Sequence, residues 1–227
     1  MSIVSVRDLK REYTQGAITV KALDGVDLDI EQGEFTVLMG PSGSGKSTLL
    51  NLIGGLDEPS GGTVTVDGQH LAGISATARS KIRLHRIGFV FQAYNLIPVL
   101  SAYENAEFVL LLQGKPPAER KAQVMATLKA VGLAGMENRR PNELSGGQQQ
   151  RVAVARAIAG HPAIVLADEP TANLDSKTGD ELIALMKRLN TEQGITFVFA
   201  THDPKVMASA KRIVRLVDGK IVADEQQ

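Results

Sequence analysis

The stretch Gly40–Leu56, GPSGSGKSTLLNLIGGL, places glycines at 40, 43 and 45 directly ahead of Lys46, Ser47, Thr48 and an apolar run. Gly40, Gly45, Lys46 and Ser47 satisfy the pattern G-x-x-x-x-G-K-[ST]. A glycine-rich turn lets successive backbone N–H groups face inward onto phosphate oxygens, and the helix after it aims the positive end of its dipole at them. Lys46 is placed to reach the β- and γ-phosphates, and the Ser47 hydroxyl to ligate Mg²⁺. Gly40, Pro41, Ser42, Gly43, Ser44, Gly45, Lys46, Ser47 and Thr48 are therefore the candidate site for nucleotide phosphates. The pattern comes after a strand-like run, FTVLM (35–39), and opens a helical one, which is the context a phosphate loop requires.

The bulk of the chain suits such a protein. Its 227 residues are enough to bury a large core. Lys plus Arg equals Asp plus Glu at 25 each, so the formal charge is zero, which argues against a dedicated nucleic-acid binder. There is no cysteine, so disulfides, thiolate metal sites and thiol catalysis are excluded. The opening MSIVSVRDLKREY carries charges where a signal peptide needs an apolar stretch. No apolar run approaches the roughly 18 residues that span a bilayer. The expectation is a soluble protein inside the cell, reaching any membrane through a partner.

Short apolar runs alternate with helical patterns, which predicts an α/β architecture with a mostly parallel sheet. FTVLM (35–39), IGFVF (87–91), AIVLA (163–167) and ITFVFA (195–200) read as strands buried on both faces. IVSVRDL, VDLDI and TVTVDG in the N-terminal third alternate apolar with polar residues and predict an antiparallel flank. From Gln92 to Leu144 the strand signal vanishes. SAYENAEFVLLLQ and PPAERKAQVMATLKAVG read as helices, the latter with Pro116 and Pro117 at its start and Gly132 at its stop. The expected organisation is one domain over 1–227. Residues 1–92 and 161–227 form its core, and 93–160 a helical subdomain. The polar tail is expected to fray.

Two further constellations carry chemistry. AIVLADEP (163–170) is a strand delivering Asp168 at its C-terminal edge, the arrangement that holds Mg²⁺ beside a phosphate loop. Glu169, one residue on, is the candidate general base for an attacking water. NELSGGQQQRVAVARAIAG (142–160) sets Ser145, Gly146 and Gly147 before a helix whose apolar face is Val152, Val154, Ala155, Ile158 and Ala159. That is either a second anion site or a plain serine cap.

LSGGQ (144–148), together with the phosphate loop and LADEP, resembles the nucleotide-binding subunits of ATP-binding cassette (ABC) transporters, with the motifs in that family's order from about Val4 to Val222. The resemblance implies the P-loop NTPase (RecA-like) fold, ATP and Mg²⁺ as cofactors, and ATP hydrolysis. Two copies would bind two ATP head to tail, each between one chain's phosphate loop and the other's Ser145, Gly146, Gly147 and Gln148. It further implies that Tyr13 stacks on adenine, that Gln92 senses Mg²⁺ or water where a transmembrane permease docks, that His202 contacts the γ-phosphate, and that Asp175 crosses to the other subunit. The segment QAYNLIPVLSAYENA, with Tyr94, Leu96, Ile97, Leu100 and Tyr103, is the expected permease contact.

LADEPTANLDSKTG and RIGFVFQAYNLIPVLSAYENA look most like the branch serving lipoprotein-releasing and macrolide-efflux complexes (the LolD/MacB type), as does QGAITVK between Tyr13 and ALDGV. The implied location is the cytoplasmic face of the inner membrane, through a permease. With VDGKIVAD so near the end of the sequence, the regulatory domain of sugar or methionine importers is not expected. The alternatives are a soluble cassette ATPase uncoupled from transport, an importer subunit, a P-loop kinase and a non-hydrolysing binding module. The kinase should lack LSGGQ and the Asp168–Glu169 doublet. Glu169 and His202 disfavour the binding module.

Overall fold

Four apolar segments pair side by side because each can bury both faces. They are β3 (Phe35–Met39), β6 (Ile87–Phe91), β7 (Ile164–Asp168) and β8 (Phe197–Ala200). With β9 (Arg212–Val217) and β10 (Lys220–Gln226) they form a sheet in the order β10-β9-β3-β8-β7-β6. Pairing is parallel from β9 through β6, and β10 runs antiparallel at the edge. The structure is a computed structural model and describes residues 2–16 and 18–227. Met1, in the opening stretch, and Ala17, in QGAITVK, lie outside the described residues.

Alternation along these strands feeds two cores. Phe35, Val37, Val165, Ala167, Phe197 and Phe199 point to one face. They pack under α3 (Ala102–Leu112), α4 (Pro117–Ala130), α5 (Gly146–Ala159) and α6 (Ser176–Gln193). Leu38, Ile164, Leu166, Val198 and Ala200 point to the other face, onto α1 (Lys46–Ile53) and the flanking sheet. That flank is β1 (Ser2–Gln15), β2 (Ile18–Glu31), β4 (Gly61–Val66) and the short β5 (Gln69–His70), all antiparallel in the order β2-β1-β4-β5. The expected α/β P-loop architecture, antiparallel flank and inserted helices are all present.

Local chemistry sets the helix ends. Ser101 caps α3 in a reciprocal box with Glu104, Pro117 opens α4, and Gly132 lies just past its end with φ 78°. Val152, Val154, Ala155, Ile158 and Ala159 on α5 are all buried, as its periodicity predicts.

The tail is a correction. Residues expected to fray form β10, because the Arg212 guanidinium grips Asp224 at 2.6 and 2.7 Å and also donates to Glu34 and the Asp29 carbonyl. Three helices lacked a reading in the sequence: α2 (Ala76–Arg86), with no fully buried residue, α6, and the short α7 (Pro204–Ser209).

Candidate active site

Parallel strands all end at the same edge of a sheet, and here Leu38, Ala200, Asp168 and Phe91 lie in one register row. Just beyond that row come the phosphate loop, Thr201 and His202, Glu169, and Gln92. They surround a cleft of about 690 Å³ lined by Ala22, Gly40–Thr48, Gln92, Glu169, Ala172 and His202.

The loop is shaped by glycines that admit no side chain. A Cβ on Gly40 would lie 2.1 Å from the Leu216 carbonyl oxygen, and one on Gly45, at φ 103°, would lie 2.5 Å from that of Ala22. The Lys46 ammonium crosses the mouth of the loop, donating to the Gly40 and Pro41 carbonyls at 2.8 and 2.9 Å. Ser44 is buried with its hydroxyl unpartnered, and its carbonyl accepts the Gly219 N–H, tying the loop to the β9–β10 turn.

Ser47 Oγ donates to Asp168 Oδ1 at 3.0 Å. Burial pushes the Asp168 carboxyl above the usual carboxylate range. The Ser47 hydrogen bond and the Lys46 charge oppose that rise, and Glu169 adds to it. A carboxylate starved of solvation beside a hydroxyl suits Mg²⁺, which prefers hard oxygens. Two oxygens 3.0 Å apart also match adjacent corners of an octahedron with bonds of about 2.1 Å.

Glu169 sits in the left-handed region at φ 44°, rare for a side-chain-bearing residue and typical of strained functional positions. Its Oε1 meets His202 Nδ1 at 2.8 Å and its Oε2 accepts from Thr201 Oγ1 at 2.8 Å. An ionised carboxylate only accepts, and against such a partner Nδ1 is the imidazole nitrogen that donates. The His202 side chain is 80% exposed and Glu169 only 20%, so the imidazole is the free member.

The remaining predicted residues lie elsewhere. Ser145 Oγ accepts the Gln148 N–H while Gln148 Oε1 accepts the Ser145 N–H, a complete capping box on α5. Ser145, Gly146, Gly147 and Gln148 do not line the cleft. Neither does Tyr13, whose hydroxyl donates to Asp57 at 2.9 Å while the Arg11 guanidinium stacks 4.5 Å above its ring. Asp175 caps α6. Its carboxylate accepts from the Lys177 and Thr178 N–H groups and the Thr178 hydroxyl, and the Thr178 bonds hold it below the usual carboxylate range.

Sequence reasoning missed the side chains that hold this edge together. Asn173 donates to the Gln92 carbonyl, and Gln150, fully buried, donates to those of Phe91 and Pro170. Arg156 donates to the Tyr94 and Asn95 carbonyls. Their partners are distant in sequence, so no local pattern marks them. A groove along β6, about 310 Å³, also departs from expectation. Phe89, Phe91, Asn95, Val109, Arg156 and Ala157 line it. Leu96 and Tyr103 instead pack partly buried against the core.

A phosphate loop, a hydroxyl–carboxylate pair and a glutamate–histidine pair on one sheet edge define a P-loop ATPase of the cassette type. The ABC transporter family model matches residues 23–172, and the chain belongs to that family. It is 48% identical over 222 residues to a lipoprotein-releasing system ATP-binding protein LolD of Anaeromyxobacter dehalogenans, covering 97% of this chain and 93% of that one. It is 45% identical over 224 residues to a macrolide export ATP-binding/permease protein MacB of Paracoccus denitrificans, covering 99% of this chain. It spans about a third (33%) of that relative's length. Among solved structures, a dimeric post-hydrolysis state of the ATP-binding cassette MJ0796 of Methanocaldococcus jannaschii, bound to ADP and Pi, superposes with a TM-score of 0.89. The match is at 45% identity over 98% of each chain.

Proposed function

We propose that this chain hydrolyses ATP to drive a membrane permease in an export, lipoprotein-release or related mechanical system. One observation carries this reading. The cleft gathers the phosphate loop, Gln92, Glu169 and His202, while Ser145–Gln148, with their glycine-flanked helix N-terminus, lie outside it. A cleft with half its anion donors elsewhere on the same chain is completed by a second copy placed head to tail, and a two-fold dimer makes two such sites.

In that dimer Gly40–Thr48 wrap the phosphates with backbone N–H groups, and Lys46 exchanges its carbonyl partners for phosphate oxygens. Ser47 and Asp168 would hold Mg²⁺, with Gln92 turned toward it or the attacking water; bound there, the ion would supply positive charge beside the phosphates. Glu169 takes the proton of the water, and His202 swings from Glu169 toward the γ-phosphate. Tyr13 supports adenine. Ser145, Gly146, Gly147 and Gln148 present the partner's second anion site, with Asp175 crossing the same interface while it caps α6. The chain acts as one ATP-binding domain over 1–227, in which 93–160 is the helical subdomain.

The permease seats a short helix in the groove at Phe89, Phe91 and Val109. That groove is lined by Phe91, the residue before Gln92, and some relatives carry cassette and permease in one polypeptide. On this reading the chain works at the cytoplasmic face of the membrane, through that permease. Among the described residues no helix is long and apolar enough to cross it. Val109→Glu should block co-purification with a permease encoded alongside and spare ATP hydrolysis by the isolated chain.

The central test is Glu169→Gln. It should keep ATP binding and lose hydrolysis by about 10²–10⁴-fold, the weight of a general base. Near-normal phosphate release would remove Glu169 from the role.

A further inference from the structure

Glu169 has two carboxylate partners, and they differ in kind. His202 is mostly exposed and can leave; Thr201 is fully buried at the end of β8, where its N–H bonds the Leu38 carbonyl. The Thr201 hydroxyl has one proton, which it gives to Glu169 Oε2 at 2.8 Å, and its lone pair accepts the Asp203 N–H at 3.1 Å. The hydroxyl is thereby fixed at both ends. Asp203 is fixed in turn, because Thr171 Oγ1 donates to its Oδ2 at 2.9 Å and the Lys205 N–H to its Oδ1 at 2.9 Å. A chain of hydrogen bonds thus runs Glu169–Thr201–Asp203–Thr171 behind the cleft.

We infer that Thr201 is the positioning residue for the hydrolytic base, holding Glu169 Oε2 so that Oε1 alone is presented to the attacking water once His202 turns away. The inference rests on the reading of Glu169 as that base. A strained backbone at φ 44° leaves the Glu169 side chain dependent on such a tether, and a reacting group displaced by about 1 Å can lose about 10²-fold in rate. Thr201 is fully buried and is not among the residues that line the cleft. It acts on the chemical step and leaves ATP binding alone.

The test compares Thr201→Val, which keeps shape and removes the hydroxyl, with Thr201→Ser, which keeps the hydroxyl. In the full chain with MgATP, Thr201→Val should lower kcat by about 10- to 100-fold at unchanged KM, and Thr201→Ser should restore most of it. In a Glu169→Gln background, Thr201→Val should change the residual rate by less than about twofold, since the two residues act as a unit. Wild-type kcat in Thr201→Val beside an inactive Glu169→Gln would overturn this proposal and leave the base intact. Equal damage from Val and Ser, with KM and melting temperature both shifted, would reduce Thr201 to a structural role and also overturn it. Full activity in Glu169→Gln would remove the base itself. Should Thr201→Val not fold, Thr201→Ala carries the same comparison with Ser.

Discussion

Ser47 Oγ and Asp168 Oδ1, 121 positions apart in the chain, lie 3.0 Å from each other, with Ser47 lining the cleft. The hydroxyl comes from the first turn of α1 and the carboxylate from the last residue of β7, and the parallel sheet makes them meet. A cation held by these two residues would offset the desolvation that raises the Asp168 carboxyl. Ser47→Ala and Asp168→Asn should each raise the Mg²⁺ concentration needed for half-maximal ATPase activity by about tenfold or more. An unchanged Mg²⁺ activation curve in both variants would take the pair out of metal binding.

The Lys46 ammonium is held at the loop mouth by the Gly40 and Pro41 carbonyls, neutral partners that a phosphate would displace. Lys46→Ala should abolish measurable ATP binding while leaving the melting temperature of the nucleotide-free chain near that of the parent. ATP binding of parental affinity, read by equilibrium titration, would count against the loop as the nucleotide site.

Asn105 is buried in α3 with every polar atom engaged. It accepts the Ile97 N–H and donates to the Ile97, Leu100 and Ser101 carbonyls. It therefore pins the segment just past Gln92 to the helical subdomain. Asn105→Leu would strip those groups of their side-chain partner at a cost of about 2–3 kcal/mol. In a chain of this size that should lower Tm by about 5–10 °C. A loss under about 1 kcal/mol in thermal melting would mean that the segment is held by other contacts.

These residues show what the sequence made legible. β3, β6 and β7 were readable because each is an apolar run bracketed by polar or glycine residues, and the phosphate loop because its chemistry is contiguous. β10 was hidden: KIVADEQ buries no residue fully and lies along an edge, and its order comes from Arg212 gripping Asp224 and Glu34. α2 buries no residue fully, so it offers no apolar stripe to detect. At the site, Glu169 and Asp168 announced themselves as a doublet after a strand. Gln150 did not, with acceptors 59 and 20 positions away, nor did Asn173, with its acceptor 81 away. Thr201 was the nearest to being legible. It adjoins His202 at a strand end, and register with β7 alone places it beside Glu169.

The last prediction tests whether the cleft works only with a partner. If each site joins one chain's phosphate loop to the other's Ser145–Gln148, defects placed on different chains should complement. One chain carries Glu169→Gln. The other carries Ser145→Arg, which fills the exposed N-terminus of α5 and costs it a cap worth about 1 kcal/mol. Each homodimer repeats its defect in both sites and should be inactive. In the mixed dimer one site collects both defects, while the other faces a sound Glu169 with a sound Ser145. Random mixing makes about half the dimers mixed, so about a quarter of all sites are intact under two-fold assembly. ATPase activity well above that of either parent is the expected result. Sites contained within one chain would show no recovery, since every chain remains defective. If the two sites must fire together, the mixture would also be inactive, and trapping ADP in the single intact site distinguishes that case. A mixture as inactive as its parents, with subunit exchange and ATP-induced dimerisation both verified and no ADP trapped, would sink the shared site.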